Sequence, residues 1–232
     1  MPSLCLCMIV KNESEIIERC LDSIKDYLDY WVICDTGSTD NTINIIKNYF
    51  NKHNIQGEIH TDKWINFGHN RTLCIQRSQG KADYLLLLDA DFIVNIKNKN
   101  FKEELDSNYL IKYDGNLNYR QLLLVQGKEK WKYVGVTHEF LSKDDDSKHS
   151  KDNFDSITIT HLSDGKNRQD KFIRDIKLLS EELKKDPNNG RNTFYLANSY
   201  FDTGDYNNAI IYYKKRIDIG GWDEEIYYSK YR

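Results

Sequence analysis

Tyr84-Leu-Leu-Leu-Leu-Asp89-Ala90-Asp91 is an unbroken apolar run that ends in two carboxylates one residue apart. A short run without polar alternation fits a strand buried on both faces, as in a parallel sheet. Residues i and i+2 leave such a strand on the same side. Asp89 and Asp91 can then act together on a hard divalent cation, Mg²⁺ or Mn²⁺, which keeps positions open for phosphate oxygens when few protein oxygens hold it. The plainer alternative is an Asp that caps the next helix or closes an Asx-turn.

Working outward, the chain up to Asp91 alternates apolar runs with helix-periodic segments: strands over 4–10, 31–35, 58–61 and 84–89, helices over 14–28, 40–50 and 68–78. That rhythm predicts an α/β fold with a parallel sheet covered by helices, which binds ligands beyond the strand carboxyl ends, where Asp35 and Asp89 fall. After Asn100 the pieces are shorter and more mixed, with strands expected over 109–113, 120–125, 134–141 and 156–160, and a charged, mobile loop over 143–152. From about 166 the chain reads as helical. Phe172, Ile176, Leu179 and Leu183 recur at helical spacing, and helices are expected over 191–202 and 206–217, with another starting near Trp222. The spacing of Tyr195, Ala197, Tyr200, Gly204, Tyr206, Ala209 and Tyr213 resembles one tetratricopeptide repeat, a unit that cannot bury its own face alone.

The 232 residues suffice for one sizeable core with a small appendage. Lys+Arg 33 against Asp+Glu 36 gives a net charge of −3, which argues against nucleic acid and anionic membrane surfaces as partners. The opening run Pro2 to Val10 lacks a cationic flank and a cleavage site, so it reads as a strand and not as a signal peptide. No stretch is long and apolar enough to span a bilayer. Cys5, Cys7, Cys20, Cys34 and Cys74 sit in apolar stretches at unrelated spacings and read as reduced core thiols. The expectation is a soluble, cytoplasmic, non-transmembrane protein. Cys5 and Cys7 lack the second pair a zinc site would need, and Asn12-Glu-Ser14 and Asn70-Arg-Thr72 are chance matches to a glycan acceptor pattern.

Asp35, in Trp31-Val-Ile-Cys-Asp35-Thr36-Gly37-Ser-Thr-Asp40, ends a strand before a glycine turn, with Asp40 or Ser38 as the helix cap. Its carboxylate can accept from a nucleobase N–H or a ribose hydroxyl, or it can close a turn on its own backbone. Asp-Thr-Gly-Ser also occurs in aspartic proteases, but those need a second copy and all-β flanks. His138-Glu139 is the best acid/base pair on the acceptor side. Adjacent residues of a strand point to opposite faces, so only one of the two is expected to enter a site. Arg71 can pair with a phosphate or with Asp89. Lys171 and Arg174 read as solvated charges, and Trp131 and Tyr133 as packing or a sugar platform.

Taken together, Cys7-Met-Ile-Val-Lys-Asn-Glu13, Ile33 to Thr42, Phe67-Gly-His-Asn-Arg71, Leu87 to Asp91 and Gly135-Val-Thr-His-Glu139 resemble the family 2 glycosyltransferases, in particular a branch with a helical repeat tail. The resemblance spans roughly 4–217. It implies a GT-A domain over 1–165 and an α-helical, tetratricopeptide-like tail over 166–232. It further implies inverting, metal-dependent transfer of a hexosyl group from a UDP-sugar, UDP-GlcNAc or UDP-Glc, to a hydroxyl of a glycan, protein or small molecule. Asp35 then corresponds to the uridine contact, with Thr36, Gly37, Arg71 and Ala90 beside the donor. Asp89 and Asp91 correspond to the DXD pair for Mn²⁺ or Mg²⁺, with His161 completing the metal shell. Glu139 corresponds to the base, and His138 stays open because the usual Glu-Asp pair is missing. The tail offers a surface for a protein partner or self-association. The rival reading is a nucleotide-sugar-binding or repeat-mediated scaffold without transferase activity.

Overall fold

The computed structural model describes residues 1–115, 119–144, 151–165 and 171–232. β1 (Leu4–Val10), β2 (Tyr30–Asp35), β3 (Gly57–Thr61) and β4 (Tyr84–Leu87) run parallel in the order β3-β2-β1-β4. β1 and β4 are the apolar centre: Leu4, Cys5, Leu6, Leu85 and Leu86 are fully buried. Their lack of polar alternation follows from having protein on both faces. α1 (Ile17–Asp22), α2 (Thr42–His53) and α3 (Phe67–Ser78) connect these strands.

The second half extends the sheet with β5 (Phe92–Ile96), β6 (Tyr109–Tyr113), β7 (Arg120–Gln126) and β10 (Asp152–His161), giving β3-β2-β1-β4-β7-β6-β10-β5 among the described residues. β7 is antiparallel to β4 and β6, β10 is parallel to β6, and β5 closes the far edge antiparallel to β10. β8 (Trp131–Val134) and β9 (Phe140–Lys143) form a separate two-stranded sheet.

Several expectations shift. The segment 14–28 is not one helix: α1 stops at Asp22 and a 3-10 turn follows at Lys25–Tyr27. Ser23 Oγ donates to Cys20 O at 2.6 Å and accepts from Val94 N at 3.0 Å, so the helix end is diverted toward β5. β5 itself was hidden behind the carboxylate motif. The strand expected over 134–141 is two strands with a bend between them, because Gly135 (φ 106) and His138 (φ 50) both turn left-handed. His138 and Glu139 are therefore not strand neighbours, and the alternation argument that admitted only one of them to a site fails. In the charged loop expected over 143–152, residues 145–150 lie outside the described residues, as does the start of the tail at 166–170.

The chain divides into two compact units: 1–65, 69–133 and 141–166 in the first, and 66–68, 134–140 and 167–232 in the second. The second contains α4 (Lys171–Lys185), α5 (Gly190–Asp202), α6 (Tyr206–Ile219) and α7 (Asp223–Tyr231), each packed on the next. Asn189 and Asp205 cap α5 and α6 by accepting from Asn192 N and Asn208 N. Ala197 and Ala209, both buried, let α5 and α6 approach, and Gly204 makes the turn between them at φ 80. All five cysteines are buried free thiols.

Candidate active site

In the first unit, the loops that leave β1 and β2 at their carboxyl ends are tied to each other. Val10 O accepts from Thr36 N at 2.9 Å and Thr36 Oγ1 at 3.1 Å, and Thr39 N donates to Asn12 Oδ1 at 2.7 Å. Asp40 accepts from Thr42 and from Ser14 N. Burial alone would raise its carboxyl, but these hydrogen bonds outweigh that and hold it at about 2. The α2 cap residue is Asn41, although it is Asp40 that bonds Thr42 N at 3.0 Å.

Asp35 is 1% exposed, and its Oδ2 accepts from both Gly37 N and Ser38 N at 3.0 Å. Gly37 at φ 102 supplies the left-handed turn that lets those amides reach back. Both readings of Asp35 survive: it closes a turn, and a carboxylate with roughly four lone-pair sites keeps acceptor capacity beyond these bonds.

β4 ends at Leu87, two residues earlier than expected, so Asp89, Ala90 and Asp91 sit in the turn to β5. Phe92 N donates to Asp89 O at 3.1 Å to close that turn. Leu162 N donates to Asp91 O at 3.0 Å, which brings the end of β10 against it. His161 Nε2 lies 3.1 Å from Asp91 Oδ2, with its ring edge-on to Phe92. Asp89 is engaged differently: Arg71 Nη2 sits 2.7 Å from Oδ1 and 2.9 Å from Oδ2. The Arg71 guanidinium lies 5.9 Å from the Tyr133 ring.

Does this donor set fit a divalent metal? Among the described residues no group of three His, Cys, Asp or Glu side chains is arranged to hold one. Asp91 Oδ2 and His161 Nε2, 3.1 Å apart, nevertheless have the spacing of neighbouring ligands on an octahedral ion with bonds of about 2.1 Å. A partial protein shell of hard oxygen and imidazole nitrogen, finished by substrate oxygens, fits Mn²⁺ or Mg²⁺.

Sequence reasoning gave no role to Glu13. A Cβ built on Gly165 would lie 3.4 Å from Glu13 Oε1 and 3.7 Å from Asp91 Oδ2, so both carboxylates border one glycine. Asp164 beside it is fixed by Arg19 through two bonds of 2.8 and 2.9 Å. The available signal was position: Glu13 leaves β1 on the same edge as Asp35 and Asp89.

Glu139 and His138 belong to the second unit. The His138 ring stacks on Tyr195 (4.1 Å, 8°), its carbonyl accepts from Arg191 Nη2 at 2.7 Å, and its Nε2 is 3.7 Å from Asp175 Oδ2. Asp175 is fully buried and accepts from Thr137 Oγ1 at 3.1 Å. Burial pulls the His138 imidazole down to about 4, against the opposing pull of Asp175. Arg174, expected to be solvated, instead lies 4.8 Å from the Phe67 ring.

Residues 5–100 match the family described as Glycosyl transferase family 2. The chain is 27% identical over 237 aligned residues to the SPbeta prophage-derived glycosyltransferase SunS of Bacillus subtilis, which covers 94% of this chain and 54% of that protein. The chain thus spans about half the length of that relative. A TPR repeat-containing protein of Synechococcus elongatus is 40% identical over 91 residues, 39% of this chain and 21% of the relative. Among solved structures, the mannosyltransferase PcManGT from Pyrobaculum calidifontis, in complex with GDP-Man and Mn²⁺, matches with a TM-score of 0.55 at 13% identity, covering 99% of this chain and 79% of the other. S. aureus TarS matches with a TM-score of 0.54 at 15% identity, covering 94% and 80%. The chain has the GT-A fold followed by an α-helical C-terminal region, and its segment 5–100 is similar to the family 2 glycosyl transferases.

Proposed function

We propose that this chain carries an inverting, metal-assisted glycosyltransferase that moves a hexosyl group from a UDP-sugar, UDP-GlcNAc or UDP-Glc, to an acceptor hydroxyl. The observation that carries the reading is the pairing of Asp91 with His161 at 3.1 Å beside an Arg71-held Asp89, on the strand edge that also bears Asp35. The SunS match and the GDP-Man and Mn²⁺ of the mannosyltransferase with this fold support a nucleotide-sugar donor and a divalent ion.

In this reading 1–165 is the catalytic domain and 166–232 a tail with one tetratricopeptide-like repeat. Asp35 accepts a hydrogen bond from the uridine, with Thr36 and Gly37 shaping the turn against it. Asp89, Asp91 and His161 would hold Mn²⁺ or Mg²⁺, with the small Ala90 between the two carboxylates. The bound cation supplies Lewis-acid neutralisation of the diphosphate leaving group. Arg71, positioned by Asp89, adds charge-assisted donors for phosphate oxygens. On the acceptor side Glu139 takes the hydroxyl proton as the acceptor oxygen bonds the anomeric carbon and the bond to the diphosphate breaks on the opposite face. His138 is the alternative base.

The test is calorimetric titration of UDP with and without Mn²⁺, run beside UDP release from each UDP-sugar. Asp91→Asn is expected to lose the Mn²⁺-dependent part of UDP affinity with an unchanged circular dichroism spectrum. Unchanged Mn²⁺-dependent affinity in that variant would remove Asp91 from the metal site. Failure of the wild-type chain to bind any UDP-sugar would remove the donor assignment.

A further inference from the structure

Glu139, the base in the proposed reading, sits in a bend that α4 and α5 of its own unit hold in place. Asp175 of α4 accepts from Thr137 Oγ1 at 3.1 Å, and its Oδ2 lies 3.7 Å from His138 Nε2. Arg191 of α5 donates from Nη2 to His138 O at 2.7 Å. Its guanidinium carbon lies 4.9 Å from the Tyr195 ring, on which His138 stacks, and 5.1 Å from the Phe140 ring. Between them, Asp175 and Arg191 engage the two residues before Glu139 and the one after it.

The bend needs such support. Gly135 is at φ 106 and His138, which carries a Cβ, is at φ 50, so this backbone relaxes if its neighbours let go. Asp175 is costly where it stands. Its side chain is fully buried, its Oδ2 has no hydrogen-bond partner among the described residues, and Arg174 Nε comes only within 3.6 Å of Oδ1. A buried carboxylate compensated this poorly subtracts from stability, and an apolar side chain of similar size would serve packing better. Packing therefore does not account for Asp175, whereas the placing of Glu139 does.

We propose that Asp175 and Arg191 are positioning residues for the acceptor side, which set the backbone of 137–140 and through it the direction of the Glu139 carboxylate. No proton passes through either of them. Resting on Glu139 as the base of the proposed transfer, this assignment makes α4 and α5 part of the transferase and not an appendage to it.

The experiment follows UDP release from UDP-GlcNAc and UDP-Glc with Mn²⁺, water serving as acceptor, beside hydrogen exchange of the peptide covering 134–140, all in the full chain. Asp175→Asn keeps the shape and removes the charge, and Arg191→Gln removes the fork. Each is expected to lower kcat roughly tenfold to hundredfold, the scale for a misplaced catalytic group, with an unchanged KM for the UDP-sugar. Exchange at 134–140 should quicken while peptides of α6 and α7 keep their protection. Arg191→Lys, which retains a donor for the carbonyl, should recover part of kcat. In a Glu139→Gln background neither substitution should lower kcat further, because both act through Glu139. Should Asp175→Asn lose its helices by circular dichroism, Thr137→Val, which removes only the hydrogen bond to Asp175, takes its place. Unchanged kcat in both variants, unchanged exchange at 134–140 in both, or full additivity with Glu139→Gln overturns the proposal. Failure of the wild-type chain to release UDP, or normal release by Glu139→Gln, overturns instead the reading on which it rests. With wild type active and Glu139→Gln impaired, the first three outcomes count against the positioning role alone.

Discussion

His138 adopts a left-handed backbone at φ 50, a conformation that costs a non-glycine residue roughly 1–2 kcal/mol, and it also buries its ring beside Asp175. Strain of this kind persists only where neighbours overdetermine it. Here they do: Tyr195 stacks on the ring and Arg191 bonds the carbonyl. The charged groups facing the imidazole are Asp175 and Lys171 from α4 and Arg191 from α5, but burial dominates and lowers it from 6.5 to about 4. Between those values the unfolded chain binds more protons than the folded one. The contribution is therefore complete above about 6.5 and is lost as pH falls toward 4. With the side chain 32% exposed, screening trims the effect. The wild-type chain is expected to lose about 1–2 kcal/mol more stability than His138→Gln between pH 7.5 and 5, read by urea unfolding. Equal losses would show that His138 titrates normally in the fold.

Among the elements, β1, β2 and β4 were legible because strands covered on both faces need no alternation, and apolar runs as short as 4–10, 31–35 and 84–89 favour strands over helices. β5 was not legible, because Phe92-Ile-Val-Asn-Ile follows the carboxylate turn without a break and only its antiparallel pairing with β10 makes it a strand. The resemblance implied His161 only as a metal-shell residue; its approach to Asp91 across 70 residues of sequence was not legible. Gly57, the first residue of β3, lies just outside the strand expected over 58–61, yet a Cβ there would lie 2.3 Å from the Trp31 ring. Two contacts hold that ring: it stacks on Phe50 at 4.4 Å, and its Nε1 donates to Ile55 O at 3.0 Å. Gly57→Ala is expected to cost about 1–3 kcal/mol, the range for overpacking a filled core site. A urea midpoint equal to wild type would mean that the Trp31 to Phe50 stack yields cheaply.

For the whole molecule, the helical unit was foreseen from its periodicity, but the membership of 66–68 and 134–140 in it was not, because that depends on contacts between segments far apart in sequence. Each unit has its own apolar clusters, and the second also has a buried ion pair. Arg216 Nε donates to Glu225 Oε2 at 2.9 Å with the side chains only 3% and 6% exposed, and Arg216 Nη1 donates to Gly220 O at 2.6 Å. Removing one partner of such a pair strands the other charge in a poorly solvating environment, at a cost of about 3–5 kcal/mol. Glu225→Gln keeps the shape and removes the charge, so it isolates that cost. Far-UV circular dichroism on heating should then show earlier loss of helix. Mn²⁺-dependent UDP affinity, carried by Asp35, Asp89, Asp91 and His161 of the first unit in the proposed reading, should stay at the wild-type value at temperatures below that transition. A parallel loss of UDP affinity would mean that the first unit does not hold its nucleotide site without an intact second unit. An unshifted helical transition would mean that solvent reaches Arg216 and that the pair contributes no more than a surface one.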